Sequence, residues 1–380
     1  MIISKKSLDI PPFLVMDVLE KALEMERKGE KVIHLEVGEP DFETPHCIKE
    51  ACLQAIREGK TKYSHSLGLL ELRKAISEEY GKQYGKEVSP HQIIITNGSS
   101  PALFLIFSTL LENGDEVILT NPYYSCYPNI VRFLGGTINF VYVQEEDAFQ
   151  YRPEYIARHI TPQTKAILIN SPANPTGSIL SPEVMKKLSD LGYYLVSDET
   201  YHGLVYESQE HSILEFTDKA FILGSFSKKY AMTGWRLGYL IAPEEFIRPM
   251  QKIQQNFFIS ANSFVQWAGV TAIKKAQKDV EKMRAIFNQR RKFIIPRLKE
   301  LGFGLKFEPQ GAFYVSANAK KFTQDSRAFA FDILEKAKLA VTPGIDFGDN
   351  AEGYLRFSYA NSIENIKEGL DRLEQYLKNL

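Results

Sequence analysis

The sequence predicts an α/β protein with one large, mostly parallel sheet between helices and a smaller α+β domain. Seven short apolar runs occur between residues 93 and 241, and helical stretches separate most of them. Short runs rich in branched side chains are typical of strands that are buried on both faces of a sheet. A chain of 380 residues is also too long for one small core, so about two domains are expected.

The individual elements follow from the apolar pattern. Helical spacing predicts three helices near the start of the chain, at 12–28, 45–59 and 69–84. A short strand is predicted between the first two, at 32–37. The seven apolar runs predict the strands of the large sheet, at 93–95, 117–119, 138–143, 166–169, 194–196, 221–223 and 237–241. The rest of the chain predicts one long helical segment from 243 to about 300. Two strands follow, at 312–315 and 355–358, and a last helix begins at about 363.

The order of these elements predicts how the chain divides. The alternating strands and helices favour a large domain over residues 45–280. The N-terminal arm, residues 1–44, and the C-terminal α+β segment, residues 281–380, are expected to form the small domain together.

Composition and charge exclude several classes of protein. The 46 Lys and Arg residues balance 47 Asp and Glu, so there is no basic excess that would favour a nucleic-acid partner. Three cysteines without CxxC spacing favour neither a disulfide framework nor a metal site, and they suit a reducing cytoplasm. No apolar run approaches the ~20 residues of a membrane helix, so a cytoplasmic protein without a membrane segment is expected.

The segment from Ser225 to Arg236 carries the strongest chemical signal. Lys228 follows an apolar run and lies among small and aromatic residues, three positions after Ser225 and eight before Arg236. A lysine whose surroundings lower its pKa can attack a carbonyl carbon, whereas serine and arginine suit a phosphate. The alternative interpretation is an ordinary exposed pair of lysines, Lys228 and Lys229.

Four polar stretches follow predicted strands of the large domain, at residues 97–101, 121–124, 171–177 and 197–201. Ligands of open α/β sheets bind at the carboxyl ends of the strands, so these stretches are candidates for one site. Each has a simpler alternative: a helix cap, aromatic packing, a turn, or a structural carboxylate. Arg356 lies within a later apolar strand and should face a carboxylate, either structural or belonging to a substrate.

Taken together, these stretches resemble the class I/II aminotransferases of the fold-type I pyridoxal-phosphate superfamily, in particular the bacterial subgroup that is similar to aspartate aminotransferase. Seven motifs occur in the family's order: residues 38–42, 61–63, 174–177, 198–201, 225–228, 232–238 and 356–358. The resemblance covers essentially the whole chain. It implies a transaminase that uses pyridoxal 5'-phosphate to move an amino group between an L-amino acid and a 2-oxo acid in a ping-pong reaction. A β-lyase on the same scaffold is the alternative.

The resemblance also implies the catalytic residues. Lys228 would form the internal aldimine and act as the general base, whereas Lys229 falls out of register and would be a solvated charge. Asp198 would pair with the pyridine nitrogen of the cofactor. Tyr201 and Asn174 would hydrogen-bond its phenolic oxygen.

Further roles are implied for residues that bind the rest of the cofactor and the substrate. The phosphate group would be held by Ser99, Ser100, Ser225 and Arg236, and Tyr124 would stack on the ring. Tyr63 would reach the phosphate bound by the partner subunit, which implies a homodimer with shared active sites. The α-carboxylate of the substrate would be bound by Arg356, Asn174 and the backbone of Gly38.

The substrate side chain is less constrained by the sequence. Residues 256–260 contain no arginine that could bind a second carboxylate, and residues 9–12 contain no lysine of the kind found in the prephenate subgroup. Phe13, Phe257 and Phe258 either line an apolar pocket or pack in the core.

Overall fold

The computed structural model describes residues 2–380 of the chain. The strands in these residues are β1 (Ile33–His34), β2 (Ile93–Thr96), β3 (Glu116–Asn121), β4 (Thr137–Tyr142), β5 (Thr164–Asn170), β6 (Tyr194–Asp198), β7 (Ala220–Ser225), β8 (Gly238–Ile241), β9 (Tyr314–Asn318), β10 (Leu339–Ala340), β11 (Thr342–Pro343) and β12 (Tyr354–Ser358). The helices are α1 (Lys5–Asp9), α2 (Leu14–Arg27), α3 (His46–Arg57), α4 (Leu70–Tyr84), α5 (Ser99–Leu110), α6 (Cys126–Phe133), α7 (Pro153–His159), α8 (Pro182–Ser189), α9 (Glu244–Phe257), α10 (Ser263–Lys275), α11 (Gln277–Glu300), α12 (Ser326–Ala337) and α13 (Ile363–Leu377).

Seven strands form the central sheet in the order β2-β8-β7-β6-β5-β3-β4. Strand β8 runs antiparallel to both of its neighbours, and the other adjacent pairs are parallel. All seven predicted strands belong to this sheet. The predicted α/β fold with a mostly parallel seven-stranded sheet is therefore confirmed.

The sheet is covered on both faces, as its apolar strands require. In β5, Ile167 and Ile169 pack into the core on one face. Ala166 and Leu168 pack into a separate core on the other face, with residues of α5 and α9. Because successive strand residues point to opposite faces, an uninterrupted apolar strand needs helices on both sides.

A second group of elements surrounds a small three-stranded antiparallel sheet, ordered β11-β12-β9. Its apolar face packs with α11 and α13 through side chains such as Phe287, Phe313, Phe357 and Leu370. Strand β1 pairs with β10 in parallel and so links the N-terminal arm to this group. The pairing supports our division into residues 45–280 and residues 1–44 with 281–380, which remains a prediction.

Three predicted elements differ from the structure. The predicted strand at 32–37 is regular over Ile33–His34 only, because the Glu36 carbonyl accepts hydrogen bonds from side chains instead of a strand. The predicted helical segment from 243 to about 300 consists of three helices, α9, α10 and α11; the first break contains Ile259, whose φ is 64°. The predicted strand at 312–315 begins later, at Tyr314, because Ala312 has a φ of 57°. The periodicity of apolar residues does not indicate where the backbone adopts a positive φ and changes direction.

Among residues 2–380, no helix combines the length and the apolar character that are needed to cross a membrane.

Candidate active site

A cavity of about 240 Å³ opens at the carboxyl ends of β5, β6 and β7. Asn170, Asp198 and Ser225 are the last residues of these three strands, and all three line the cavity. Parallel pairing places strand ends at one edge of a sheet, which explains why residues far apart in sequence meet here. The predicted site residues that line the cavity are Gly38, Ser99, Ser100, Tyr124, Asn174, Asp198, Tyr201, Ser225, Lys228, Arg236 and Arg356.

The amine of Lys228 lies inside this cavity. Its Nζ atom donates a hydrogen bond of 2.5 Å to the carbonyl oxygen of Gly38. Burial is the main cause that lowers the pKa of Lys228 to about 8; Glu39 opposes it, and Arg236 and Arg356 add to it. A substantial fraction of the amine is therefore neutral near pH 8, as a nucleophile or a base must be.

Lys229 points away from the cavity and is not a solvated charge, so that prediction is wrong. Its Nζ atom lies 2.6 Å from Glu79, and its side chain is only 12% exposed. Burial lowers its pKa, but Tyr230 and Glu79 outweigh that effect and raise the pKa of Lys229 above its usual range. Adjacent side chains diverge along the backbone, so Lys229 fills a polar site behind the cavity while Lys228 enters it.

Asp198 is buried at the end of β6 and is held by two donors. Tyr127 donates its hydroxyl to Oδ2 at 2.6 Å, and the backbone N–H of Thr200 donates to Oδ1 at 3.0 Å. The carboxylate lines the cavity and retains acceptor capacity there. It can therefore stabilise a positively charged donor on a bound ligand.

Arg356 is the other deeply buried charge of the cavity. Its Nη1 donates to Asn174 Oδ1 at 2.9 Å, and its Nη2 donates to Thr342 Oγ1 at 3.0 Å and to the Glu36 carbonyl. The guanidinium lies over the ring of Tyr314, at 4.4 Å from the ring centroid. Within residues 2–380, no carboxylate forms a salt bridge with Arg356 and its Nε has no hydrogen-bond partner. A buried arginine in this state is prepared to bind an anionic ligand.

Two hydroxyl groups and one amide complete the polar lining near Arg356. The hydroxyl oxygens of Tyr201 and Tyr314 lie 2.7 Å apart. The backbone N–H of Asn174 donates to Asn170 Oδ1 at 2.8 Å, which fixes the turn after β5. These groups can donate to or accept from a polar ligand without large rearrangement.

The opposite end of the cavity is suited to an anion. Helix α5 begins at Ser99, and Ser99 and Ser100 line the cavity with their first-turn N–H groups. Arg236 approaches this helix end so closely that a Cβ atom on Gly98 would lie 2.4 Å from its Nη2. Gly98 also has a φ of 94°, so both the backbone and the space favour glycine here. The helix end, Arg236 and Ser225 together provide donors for a phosphate group.

The two adjacent tyrosines after β3 have different positions. Tyr124 lines the cavity and packs edge-on against Tyr127, with ring centroids 5.3 Å apart. Tyr123 stacks on Phe140 at 5.2 Å. Tyr124 is therefore the tyrosine whose ring is available to a planar ligand.

Some predicted residues lie elsewhere. Tyr63 is 83% exposed and does not line the cavity of its own subunit. Of the phenylalanines considered for an apolar pocket, Phe13 lines the cavity, whereas Phe257 and Phe258 contact Phe104.

Sequence reasoning missed several lining residues. Tyr127 and Tyr314 belong to segments that read as ordinary apolar helix and strand. A buried tyrosine hydroxyl needs a polar partner, so a tyrosine within an apolar segment indicates that a polar group lies next to it in the fold. Its partner cannot be identified without the fold, because Tyr127 and Asp198 are 71 positions apart.

Comparison with known proteins identifies the family. The model of the family "Aminotransferase class I and II" matches residues 30–373. This chain belongs to the class I and II aminotransferases. The (5-formylfuran-3-yl)methyl phosphate transaminase of Methanocaldococcus jannaschii is 42% identical over 379 residues, which cover 99% of each protein. The aspartate/prephenate aminotransferase of Thermus thermophilus is 38% identical over 383 residues, covering 99% of this chain and 98% of that protein. The structure of Thermus thermophilus aspartate aminotransferase with maleate superposes with a TM-score of 0.94 at 38% identity, covering 98% of this chain and 99% of that one.

As a member of this family, the protein is a transaminase that depends on pyridoxal 5'-phosphate and acts on amino acids and 2-oxo acids. The cavity fits this cofactor. It offers a phosphate site at the start of α5, a carboxylate at Asp198 for a ring nitrogen, and a buried amine at Lys228 for the aldehyde. The buried Thr200 Oγ1, which also lines the cavity, lacks a hydrogen-bond partner within residues 2–380.

Proposed function

We propose that Lys228 is the catalytic amine of this transaminase and that Arg236 and Arg356 define the two ends of its site. The observation that carries the proposal is the position of Lys228. Its amine is held by the Gly38 carbonyl, and burial, with a smaller effect of both arginines, lowers its pKa to about 8. A buried amine beside two cationic anion sites is what an amino acid and a phosphorylated aldehyde require.

The cofactor would be held by residues from several strand ends. Ser99, Ser100, Ser225 and Arg236 would bind its phosphate, and Tyr124 would pack against its ring. Asp198 would accept from the ring nitrogen, with Tyr127 and Thr200 keeping the carboxylate in place. Tyr201 and Asn174 would bind the phenolic oxygen. When bound, pyridoxal 5'-phosphate supplies an electron-accepting ring that stabilises negative charge at the substrate α-carbon.

The α-carboxylate of the amino acid would bind to Arg356. The guanidinium is already oriented by Asn174, Thr342 and the Glu36 carbonyl, so little side-chain entropy is lost on binding. Its flat face packs on Tyr314, and its planar edge suits two parallel hydrogen bonds to a carboxylate. Arg356 thereby fixes the orientation of the α-carbon relative to Lys228.

Lys228 would move the proton. Its neutral amine would accept the proton of the substrate α-carbon as general base, and the resulting ammonium would give that proton back as general acid. A pKa of about 8 suits both steps, because neither protonation state is strongly disfavoured near neutral pH. The Gly38 carbonyl accepts from the amine and holds it on one side of the cavity.

Substitution of Arg356 tests the proposal. Arg356→Ala should raise KM for every amino acid by about 100-fold or more, because the α-carboxylate is common to all of them. Arg356→Lys keeps the charge but not the planar fork, so it should recover only part of the loss. Arg248→Ala, which removes an exposed arginine bonded to Gln251, is the matched control. A KM effect confined to one amino acid would assign Arg356 to side-chain selection instead.

A homodimer with shared active sites is also proposed. Tyr63 is 83% exposed, as expected for a side chain that reaches into a partner subunit. Phe257 ends α9 and is 68% exposed, and Ile259, in the loop that follows, is 49% exposed. The Ala261 carbonyl of this loop accepts from the Ser64 hydroxyl at 3.5 Å. Exposed apolar side chains on adjacent loops are typical of an interface between subunits.

A cytoplasmic location is proposed as well. Cys47, Cys52 and Cys126 are all free thiols, and Cys52 is buried on α3 as a packing residue. Free thiols are typical of proteins of a reducing compartment.

The relatives named above act on different substrates, among them aspartate, prephenate and a formylfuran phosphate. Family membership therefore leaves the preferred donor to be inferred from the cavity of this chain.

A further inference from the structure

We propose that this transaminase prefers amino acids with large apolar side chains over dicarboxylic ones, and that the first turn of α2 sets the preference. The inference rests on the proposed function, since it takes the positions of the cofactor and of the α-carboxylate from it. It concerns an apolar wall of the cavity, which we define as Phe13, Val15, Met16 and Val37.

The charges of the cavity leave no partner for a second carboxylate. Lys228, Arg236 and Arg356 are the cationic side chains that line it within residues 2–380. The proposed function uses Lys228 for proton transfer, Arg236 for the phosphate and Arg356 for the α-carboxylate. Within one subunit a side-chain carboxylate would thus enter the cavity without a cation of its own, and residues 256–260 contain no arginine either. An unpaired buried charge is strongly disfavoured.

The apolar wall adjoins the proposed α-carboxylate site. Asp346 accepts the backbone N–H of Leu14 at 3.0 Å and so fixes the start of α2. The next residue, Phe347, packs on the guanidinium of Arg356, with the ring centroid 4.8 Å from Cζ. Two consecutive residues therefore join the first turn of α2 to the arginine that would hold the substrate.

The wall also adjoins the position proposed for the cofactor ring. The Phe13 ring lies edge-on to Tyr124, with centroids 6.0 Å apart. Ser125, the residue after Tyr124, donates its hydroxyl to the Asp346 carbonyl at 2.6 Å. With the carboxylate on Arg356 and the ring beside Tyr124, the wall is the apolar lining that adjoins both groups, so it can receive a substrate side chain.

The wall is built and partly closed before any substrate arrives. Val15 is buried, Phe13 is partly buried, and Met16 is 44% exposed at the rim. Apolar side chains held in this way gain from excluding water but offer no hydrogen bond. They should therefore bind an aromatic or branched side chain and disfavour a carboxylate of similar size.

The experiment measures kcat/KM of the cofactor-loaded enzyme for phenylalanine, leucine, alanine and aspartate, with one 2-oxo acid as acceptor. We expect phenylalanine and leucine to exceed aspartate by about tenfold or more. Phe13→Ala should lower the ratio of kcat/KM for phenylalanine to kcat/KM for alanine by about tenfold. Phe133→Ala removes a partly exposed phenylalanine far from the cavity and should not change this ratio.

A gain-of-function variant keeps the test independent of the stability of Phe13→Ala. Met16 lies at the exposed rim, so Met16→Arg should fold and supply the missing cation. It should raise kcat/KM for aspartate relative to phenylalanine by about tenfold. An unchanged ratio would contradict the inference.

The two proposals can fail separately. A wild-type preference for aspartate, with Arg356→Ala still weakening every donor, would overturn the apolar wall and leave the proposed function intact. An equal loss for all donors in Phe13→Ala would assign Phe13 a structural role and overturn the specificity inference. If Arg356→Ala spared every donor, the proposed α-carboxylate site itself would be rejected.

Discussion

Two adjacent lysines have opposite surroundings in this enzyme. Lys228 donates to a backbone carbonyl inside the cavity and has a lowered pKa, because burial is not compensated by a nearby carboxylate contact. Lys229 forms a short ion pair with Glu79 and has a raised pKa. The same side-chain chemistry thus yields a reactive amine at one position and a fixed charge at the next.

Substitution of each lysine should separate the two roles. Lys228→Ala should abolish turnover and the visible absorbance band of the bound cofactor, because the amine that reacts with the aldehyde is gone. Lys229→Ala should keep the band and most of the turnover. It should lower the free energy of unfolding by about 2 to 3 kcal/mol, because Glu79 is left without its partner. Absorbance spectra, steady-state rates and urea denaturation measure these effects.

Two observations would contradict this assignment. Turnover in Lys228→Ala would show that another group transfers the proton. Loss of the cofactor band in Lys229→Ala would show that the Lys229–Glu79 pair belongs to the site. As a control, Lys229→Met with Glu79→Leu should regain part of the lost stability, since apolar replacement removes both charges together.

At the scale of elements, the segment after β1 connects the small sheet to Lys228. The strand itself has two residues, paired with β10. Beyond it, the Glu36 carbonyl accepts from Arg356 and the Gly38 carbonyl accepts from Lys228. In a regular strand these carbonyls would accept hydrogen bonds from a neighbouring strand. Because the strand ends early, they are free to accept from the two cationic side chains of the cavity.

The anchor of this segment is a partly buried ion pair. His34 Nδ1 lies 2.8 Å from Oε1 of the fully buried Glu36, and its Nε2 lies 3.3 Å from Glu26 on α2. The hydrogen bond to Glu36 raises the pKa of His34 to about 9, outweighing burial, and Glu26 adds to the increase. His34 is therefore charged in the folded protein at neutral pH.

This pair predicts a pH-dependent stability. Because the folded pKa of about 9 lies above the unfolded value of 6.5, the contribution of His34 is complete below pH 6.5 and is lost as the pH rises through 9. His34→Gln should lower the free energy of unfolding by about 1 to 2 kcal/mol at pH 6 and by little at pH 9.5. Urea denaturation at both pH values checks this. His91→Gln, at an exposed histidine, is the control, and a difference that grows with pH would reject the ion pair.

The elements that sequence could predict are those with a local signal. Each of the seven strands of the large sheet contains a short, mainly apolar run, and these runs with their flanking turns predicted the strands. The break between α9 and α10 was not predicted, because Ile259 is an apolar residue in a reversed backbone conformation. The strand at 32–37 was predicted too long, because its Glu36 carbonyl accepts hydrogen bonds from side chains that lie 306 and 320 positions away.

The residues of the site likewise fall into those that the sequence could predict and those that it could not. The motifs predicted that Lys228, Asp198 and Arg356 share one site, and all three line the cavity; the first two follow predicted strands, and Arg356 lies within one. The partners that orient them, such as Tyr127 and Tyr314, are set by packing across the fold and carry no local signal. Lys229 was mistaken for a solvated charge, because its partner Glu79 lies 150 positions away.

At the scale of the whole molecule, the site lies where two sheets meet. Lys228 follows β7 of the large sheet, and Arg356 belongs to β12 of the small one. Both line the same cavity, together with residues from the first turn of α2. A relative movement of the two sheets would therefore change the distance between the Lys228 amine and the Arg356 guanidinium.

The proposed dimer adds a further component to this site, which hybrid enzymes can test. Mixed dimers of Lys228→Ala and Tyr63→Ala subunits would contain one site with both defects and one intact site, if Tyr63 acts on the partner. Random exchange of subunits between the Lys228→Ala dimer and the Tyr63→Ala dimer, the two parents, makes about half of the dimers mixed. Because one of the two sites in each mixed dimer is intact, activity should return to about one quarter of the wild-type value. Each parent alone should stay far below that level when the cofactor concentration is limiting. If Tyr63 served its own subunit instead, every mixed dimer would lack an intact site, and the mixture would show only the average of the two parents.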